Sequence, residues 1–195
     1  SLKEYHIPFG VVSNYRIDNL NKYNVLVISD VMELNHEEKE ALKKFVSNGG
    51  GLYISGRTCP EFVSDILNID YEGQTNEEIT YISPSTEENL LMPGITSDHP
   101  LTIFGKQVKV RDKDNENTMA VITLPYTDPK DTSKFASIHS NPPGIKTDYP
   151  ALIYRSYGKG KIIWAAAPIE KGKSEIHQNV FVNIVNALTQ KKFAF

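Results

Sequence analysis

The stretch from Tyr23 to Gly56, YNVLVISDVMELNHEEKEALKKFVSNGGGLYISG, constrains the fold more than any other. Val25-Leu26-Val27-Ile28 is a short apolar, β-branched run without alternation, as expected of a strand buried on both faces. Asn35 offers an N-cap oxygen, and Glu38 follows three residues later, the spacing of a capping box. Ala41, Leu42, Phe45 and Val46 fall on one helical face, with Glu37, Glu40, Lys43 and Lys44 mostly on the other. Gly49 is placed to end the helix in a left-handed conformation, and Leu52-Tyr53-Ile54 begins a second strand. Two buried strands joined by one helix predict a parallel βαβ crossover.

The remaining punctuation is read the same way. Leu2 to Phe9 reads as the last turns of a helix running into Pro8, and Val11-Val12-Ser13 as a short strand. A chain opening in this way suggests a piece of a longer polypeptide. Pro60 to Leu67 is a short helix with proline in its first turn. From Asp70 to Pro100 the chain is polar and broken by prolines, with a strand at Glu77 to Ser83. Strands are expected over 102–104, 107–111 and 119–124, so residues 70–135 form an irregular β-rich insertion. Asp112 to Asn117 is a charged turn, Pro125 to Ser133 a loop, and Phe135 to His139 a further short strand. Ala151 to Arg155 and Lys161 to Ala165 flank Tyr157-Gly158-Lys159-Gly160 as a hairpin, and Ile176 to Lys191 is an amphipathic helix. A single α/β domain over 1–195 follows, with a mainly parallel sheet flanked by helices.

Composition narrows the partners. A net charge of -3 with acids and bases interspersed gives no basic stripe for nucleic acid, and no apolar run spans a membrane. One cysteine excludes an internal disulfide and a multi-cysteine metal site. His6, His36, His99, His139 and His177 form no ligand-spaced cluster, so no metal and no cofactor is expected. Gly158-Lys159-Gly160-Lys161 lacks the full phosphate-loop pattern, and its glycines are those of a hairpin turn.

Several residues carry possible chemistry. Asp30 and Arg57 stand at the carboxyl ends of adjacent strands, where open α/β sheets bind ligands; they suit a polar ligand such as a sugar, or an anchoring ion pair. Cys59 lies between a strand and a helix, the position of a nucleophile elbow. Pro60 directly after it lacks the backbone N–H an oxyanion hole would use there. In the segment Ile138 to Tyr149, His139 and Asn141 sit in a polar, aromatic-flanked loop able to reach a partner domain or a carbohydrate.

In order, these segments resemble a known family. The carriers are Leu2 with His6-Ile7-Pro8-Phe9, the run FVSNGGGLYISG over 45–56 and YPALIYRSYGKGKIIWAAAPIEK over 149–171. The pattern is similar to the class I glutamine amidotransferase-like domain of bacterial glycoside hydrolases, of the β-galactosidase trimerisation type or the C-terminal domain of TIM-barrel glycosyl hydrolases. The resemblance covers most of the chain and is weak over 70–135. It implies a flavodoxin-like, non-catalytic accessory domain that follows a catalytic barrel, joins in oligomer contacts and can approach a sugar site. It also implies a first strand and helix upstream of Leu2. The family's catalytic relatives carry G-x-C-x-G and a His-x-Glu pair. Here the surroundings are Arg57-Thr58-Cys59-Pro60, and the nearest sequence to that pair is Glu175-Ile176-His177. The alternatives are a small-ligand or sugar-binding module, and a free-standing hydrolase using Cys59.

Overall fold

The computed structural model describes residues 2–29, 31–128, 130–137 and 141–189. Its N-terminal half is built on the strand–helix–strand unit. β1 (Val25–Ile28), α1 (His36–Ser47) and β2 (Gly51–Ser55) follow in order, and β1 pairs parallel with β2 from Val25 opposite Gly51 to Ile28 opposite Ile54. The capping box is formed: Glu38 N–H donates to Asn35 Oδ1 at 2.9 Å, and Asn35 N–H donates to Glu38 Oε2 at 2.8 Å. Such a cap stabilises a helix by about 1 kcal/mol. Leu42, Phe45 and Val46 are the buried face, and Gly49 takes φ 113° just past the helix end.

The chain continues through α2 (Pro60–Leu67), β3 (Ile69–Gln74), β4 (Ile79–Pro84), β5 (Leu101–Phe104), β6 (Val108–Asp112), β7 (Thr118–Pro125), β8 (Pro143–Tyr157), β9 (Gly160–Ala165) and α3 (Glu175–Leu188). Short 3-10 helices cover Asn14–Lys22 and Ile169–Lys171. Among the described residues, seven strands form one sheet in the order β1-β2-β9-β8-β7-β4-β5.

The expectation of a mainly parallel sheet is corrected here. β1–β2 and β2–β9 are parallel, while β9–β8, β8–β7, β7–β4 and β4–β5 are antiparallel. The cause is the glycine-rich hairpin. β9 docks parallel against β2, but a tight turn joins it to β8, and a tight turn permits only antiparallel pairing. From β8 outward the sheet grows in that sense. Within the β-rich stretch over 70–135, β4, β5 and β7 belong to this same sheet, and β3 and β6 pair separately as a two-stranded antiparallel ribbon.

Three local readings also change. Leu2 to His6 is a turn closed by Ile7 N–H to Leu2 O at 2.9 Å, because one turn before Pro8 is too short to hold a helix. Val11-Val12-Ser13 is no strand; it has no ladder partner, and Val11 is 91% exposed. Phe135 to Ser137 is irregular, and His139 lies outside the described residues.

Tyr53, Ile54, Phe62, Leu152 and Trp164 lie in the buried core. α3 covers one sheet face, with the Phe181 and Tyr53 rings edge-on at 5.4 Å and 62°. The hairpin turn fits beneath the end of α1. A Cβ on Gly160 would lie 2.1 Å from the Val46 carbonyl oxygen, and Lys159 N–H donates to Ser47 O at 3.0 Å. Close approach of backbone, as well as turn geometry, therefore requires glycine there.

The ribbon is secured to the sheet by one buried ion pair. Arg155 of β8 donates from Nη2 to both oxygens of Asp112, at 2.5 and 2.6 Å, with the two side chains only 10% and 3% exposed. Its outward face carries Lys113–Asp70 and Arg111–Glu72 pairs at 2.8 and 2.5 Å. Those are solvent-facing and worth little, whereas removing one member of the buried pair strands a charge. Asp112→Asn is expected to lower unfolding free energy by about 3–5 kcal/mol in urea titrations, and the double change Asp112→Leu with Arg155→Met by much less. Equal losses in both would show that the ion pair is not what holds the ribbon.

Candidate functional site

The carboxyl ends of β1, β2 and β9 converge at one edge of the molecule, where parallel strands usually present ligand-binding groups. Three hydroxyls and one carboxylate meet there. Glu170, in the short 3-10 helix after β9, accepts from Ser29 Oγ and Ser55 Oγ through Oε1, both at 2.7 Å, and from the Tyr53 hydroxyl through Oε2 at 2.9 Å. Ser29 follows β1, Ser55 closes β2 and Glu170 itself follows β9, so a single side chain clasps the ends of β1 and β2 to the segment after β9. Tyr53 is fully buried. Burial, and then the neighbouring Glu170 carboxylate, hold its phenol well above its ordinary pKa, so it stays protonated and donates.

Beside the clasp lies the elbow. Gly56 and Cys59 have φ of 62° and 45°, which turns the chain sharply from β2 into α2. Cys59 is the residue before the first helical position of α2 and is buried. Its N–H and its thiol both donate to the Val31 carbonyl, at 2.8 and 3.1 Å, which pins the loop after β1 to the start of α2. Burial first, and then Glu38, push the thiol from 9.0 up to about 11, with Lys39 opposing. At neutral pH roughly one molecule in ten thousand carries the thiolate. Among the described residues no imidazole hydrogen-bonds to this sulfur. The histidine of the Glu175-Ile176-His177 stretch donates from Nε2–H to Thr102 O at 2.7 Å, and its Nδ1 meets Ser174 Oγ at 2.6 Å. It is a buried histidine joining α3 to β5.

The structure brings Arg57 and Cys59 to this same corner, with Arg57 exposed. Asn141 is elsewhere. Its carboxamide exchanges two hydrogen bonds with the Thr127 backbone, at 3.0 and 3.2 Å, and its carbonyl accepts from the Tyr81 hydroxyl, so it fastens a loop to β4. Asp30 and His139 lie outside the described residues. No group of three or more metal-binding side chains occurs among the described residues.

Sequence reasoning missed Glu170 and Tyr71. The signal for the first was Tyr53 within a buried run, since a buried phenol needs an acceptor. Tyr71 of β3 lies near Cys59 and Arg57. Burial raises its pKa, and its hydroxyl has no hydrogen-bond partner among the described residues. The Trp164 indole N–H close by donates instead to Gly56 O at 3.1 Å.

No family model and no curated protein matches the chain. Solved structures do. A cytoplasmic protein from Salmonella typhimurium is similar over 93% of this chain and 78% of its own, with a TM-score of 0.65 and 15% identity. Alpha-L-fucosidase isoenzyme 2 from Paenibacillus thiaminolyticus is similar over 87% of this chain and 25% of its own, with a TM-score of 0.64 and 17% identity. A beta-galactosidase from Rahnella sp. R3 is similar over 87% and 23%, with a TM-score of 0.59 and 16% identity. At such identities the likeness is one of fold. The chain spans about a quarter of the length of the two glycosidases. A domain of this fold thus occurs as a fraction of glycoside hydrolase chains and also makes up most of a smaller protein.

Two outcomes follow from the geometry. Glu170→Gln replaces one acceptor oxygen by an NH2 group that cannot accept, leaving a hydroxyl unpaired, and is expected to cost about 1–3 kcal/mol in urea unfolding. Cys59 is expected to react with iodoacetamide about a hundredfold more slowly than free cysteine near pH 7.5, from thiolate fraction alone, with the rate climbing towards pH 11. Because this pKa is raised on folding, the stability it contributes is complete below about pH 9 and is lost as pH rises to about 11.

Proposed function

We propose that this chain is a non-catalytic, class I glutamine amidotransferase-like accessory domain of a bacterial carbohydrate-active enzyme. It packs against a catalytic TIM-barrel domain of the same polypeptide and contributes to subunit contacts in the assembled enzyme. The carrying observation is the state of the strand ends. Glu170 is engaged by Ser29, Ser55 and Tyr53, and the elbow thiol is protonated and bonded to a carbonyl. A site so internally satisfied lends rigidity to the edge it occupies and offers no activated nucleophile. The likeness to parts of a beta-galactosidase and an alpha-L-fucosidase supports the same reading. Arg57, exposed beside this edge, is positioned to meet the partner domain or a sugar bound by it.

A second reading, a free-standing small-ligand module, is favoured by the similarity that covers 78% of the Salmonella protein. The two separate on the coding sequence upstream of Leu2. About 250 or more residues with TIM-barrel βα periodicity support the accessory domain, and an independent short reading frame overturns it. On the protein, neither glutaminase nor glycosidase turnover is expected from the isolated chain. Turnover abolished by Cys59→Ser would instead establish the hydrolase.

A further inference from the structure

We infer that the hollow at the amino end of the parallel strands, opposite the Glu170 edge, is a binding site for a neutral pyranose ring. The inference rests on different residues from the proposed function and stands or falls separately from it. The hollow has a volume of about 510 Å³ and lies between the Asn14–Lys22 helix and the last turns of α1. That is within the range of small-ligand sites and ample for one or two sugar rings. Its inner wall is apolar, formed by Leu20, Ala41 and the Phe45 ring. The ring is held in place because it packs against Gly50, where any Cβ would lie 2.2 Å from it. Around this wall stand Asn21, Asn24 and Asn48, all three exposed at the rim, and their carboxamides make no hydrogen bond to another described residue.

The chemistry of this set favours a polyol over an ion. Each free carboxamide supplies both a donor and an acceptor, which a sugar hydroxyl matches in both senses. An aromatic and aliphatic wall suits the apolar face of a pyranose, as aromatic rings do where one side of a ligand is apolar and the other wet. Among the described residues of the lining the one charge is the Lys44 ammonium, and it stands beside the carboxyl-terminal end of α1, whose dipole is negative. The helix end offsets about half of that charge, and the three carboxamides outnumber the single ammonium as polar partners for a ligand.

The test is a ¹H–¹⁵N NMR titration of the whole chain with methyl β-galactopyranoside, methyl β-glucopyranoside and methyl α-fucopyranoside, with benzoate as an aromatic anion. The expected result is saturable movement of the Asn21, Asn24 and Asn48 side-chain amide signals with at least one glycoside, with millimolar Kd. Asn24→Ala with Asn48→Ala is expected to weaken that binding by at least about tenfold. Ala41→Leu, which fills the hollow from its wall, is expected to do the same. Unchanged amide spectra and melting temperature outside the hollow show that each variant is folded. Glycosides that leave the three amides unmoved overturn the proposal. So do amides that respond to benzoate alone, and binding that survives both variants.

Discussion

The structure depends on one carboxylate. Parallel strands need long connections, so nothing local holds their carboxyl ends in register. Here Glu170 does so from outside the ladder, by accepting from Ser29, Ser55 and Tyr53 at once. Tyr53 carries the constraint into the core, since its ring also meets Phe181 of α3. Sheet edge, helix layer and loop are thus fixed by a single set of mutually satisfied polar groups, which in a low-dielectric setting is worth more than its parts.

A second constraint acts at the elbow. Cys59 adopts a left-handed backbone that side chains rarely take, and the Val31 carbonyl holds it there through two hydrogen bonds. A strained residue between a strand and a helix suggests a nucleophile. The environment decides otherwise for the thiol itself: it is buried, with a carboxylate as the larger charged influence and an acceptor in reach. Backbone form and thiol chemistry are separable, and in this chain the form persists with a thiol that donates.

The unit from β1 to β2 was legible because every local signal agreed: an apolar run, Asn35 with Glu38, a buried stripe and Gly49. The closing hairpin and α3 were legible for the same reason. Sheet direction was not, because one βαβ crossover fixes one pairing, and the neighbour of β2 is set by a strand more than a hundred residues later. The clasp was hidden because a glutamate in the segment after Pro168 gives no sign of three distant hydroxyls. Asn141 illustrates the converse. Its sequence context suited a ligand, whereas the chain uses its amide to hold its own loop.

The place of β2 in the sheet has a consequence for how the chain acquires its structure. β2 is fully buried between β1, some twenty residues before it, and β9, more than a hundred residues after it. Until β9 exists, one edge of Gly51–Ser55 is an unpaired apolar template. Pairing it means closing a loop that contains most of the domain, and contacts of such separation form slowly. During synthesis the early half must therefore wait for the late half with an open strand edge. This makes the nascent chain, more than the finished one, the species prone to pair with the wrong partner.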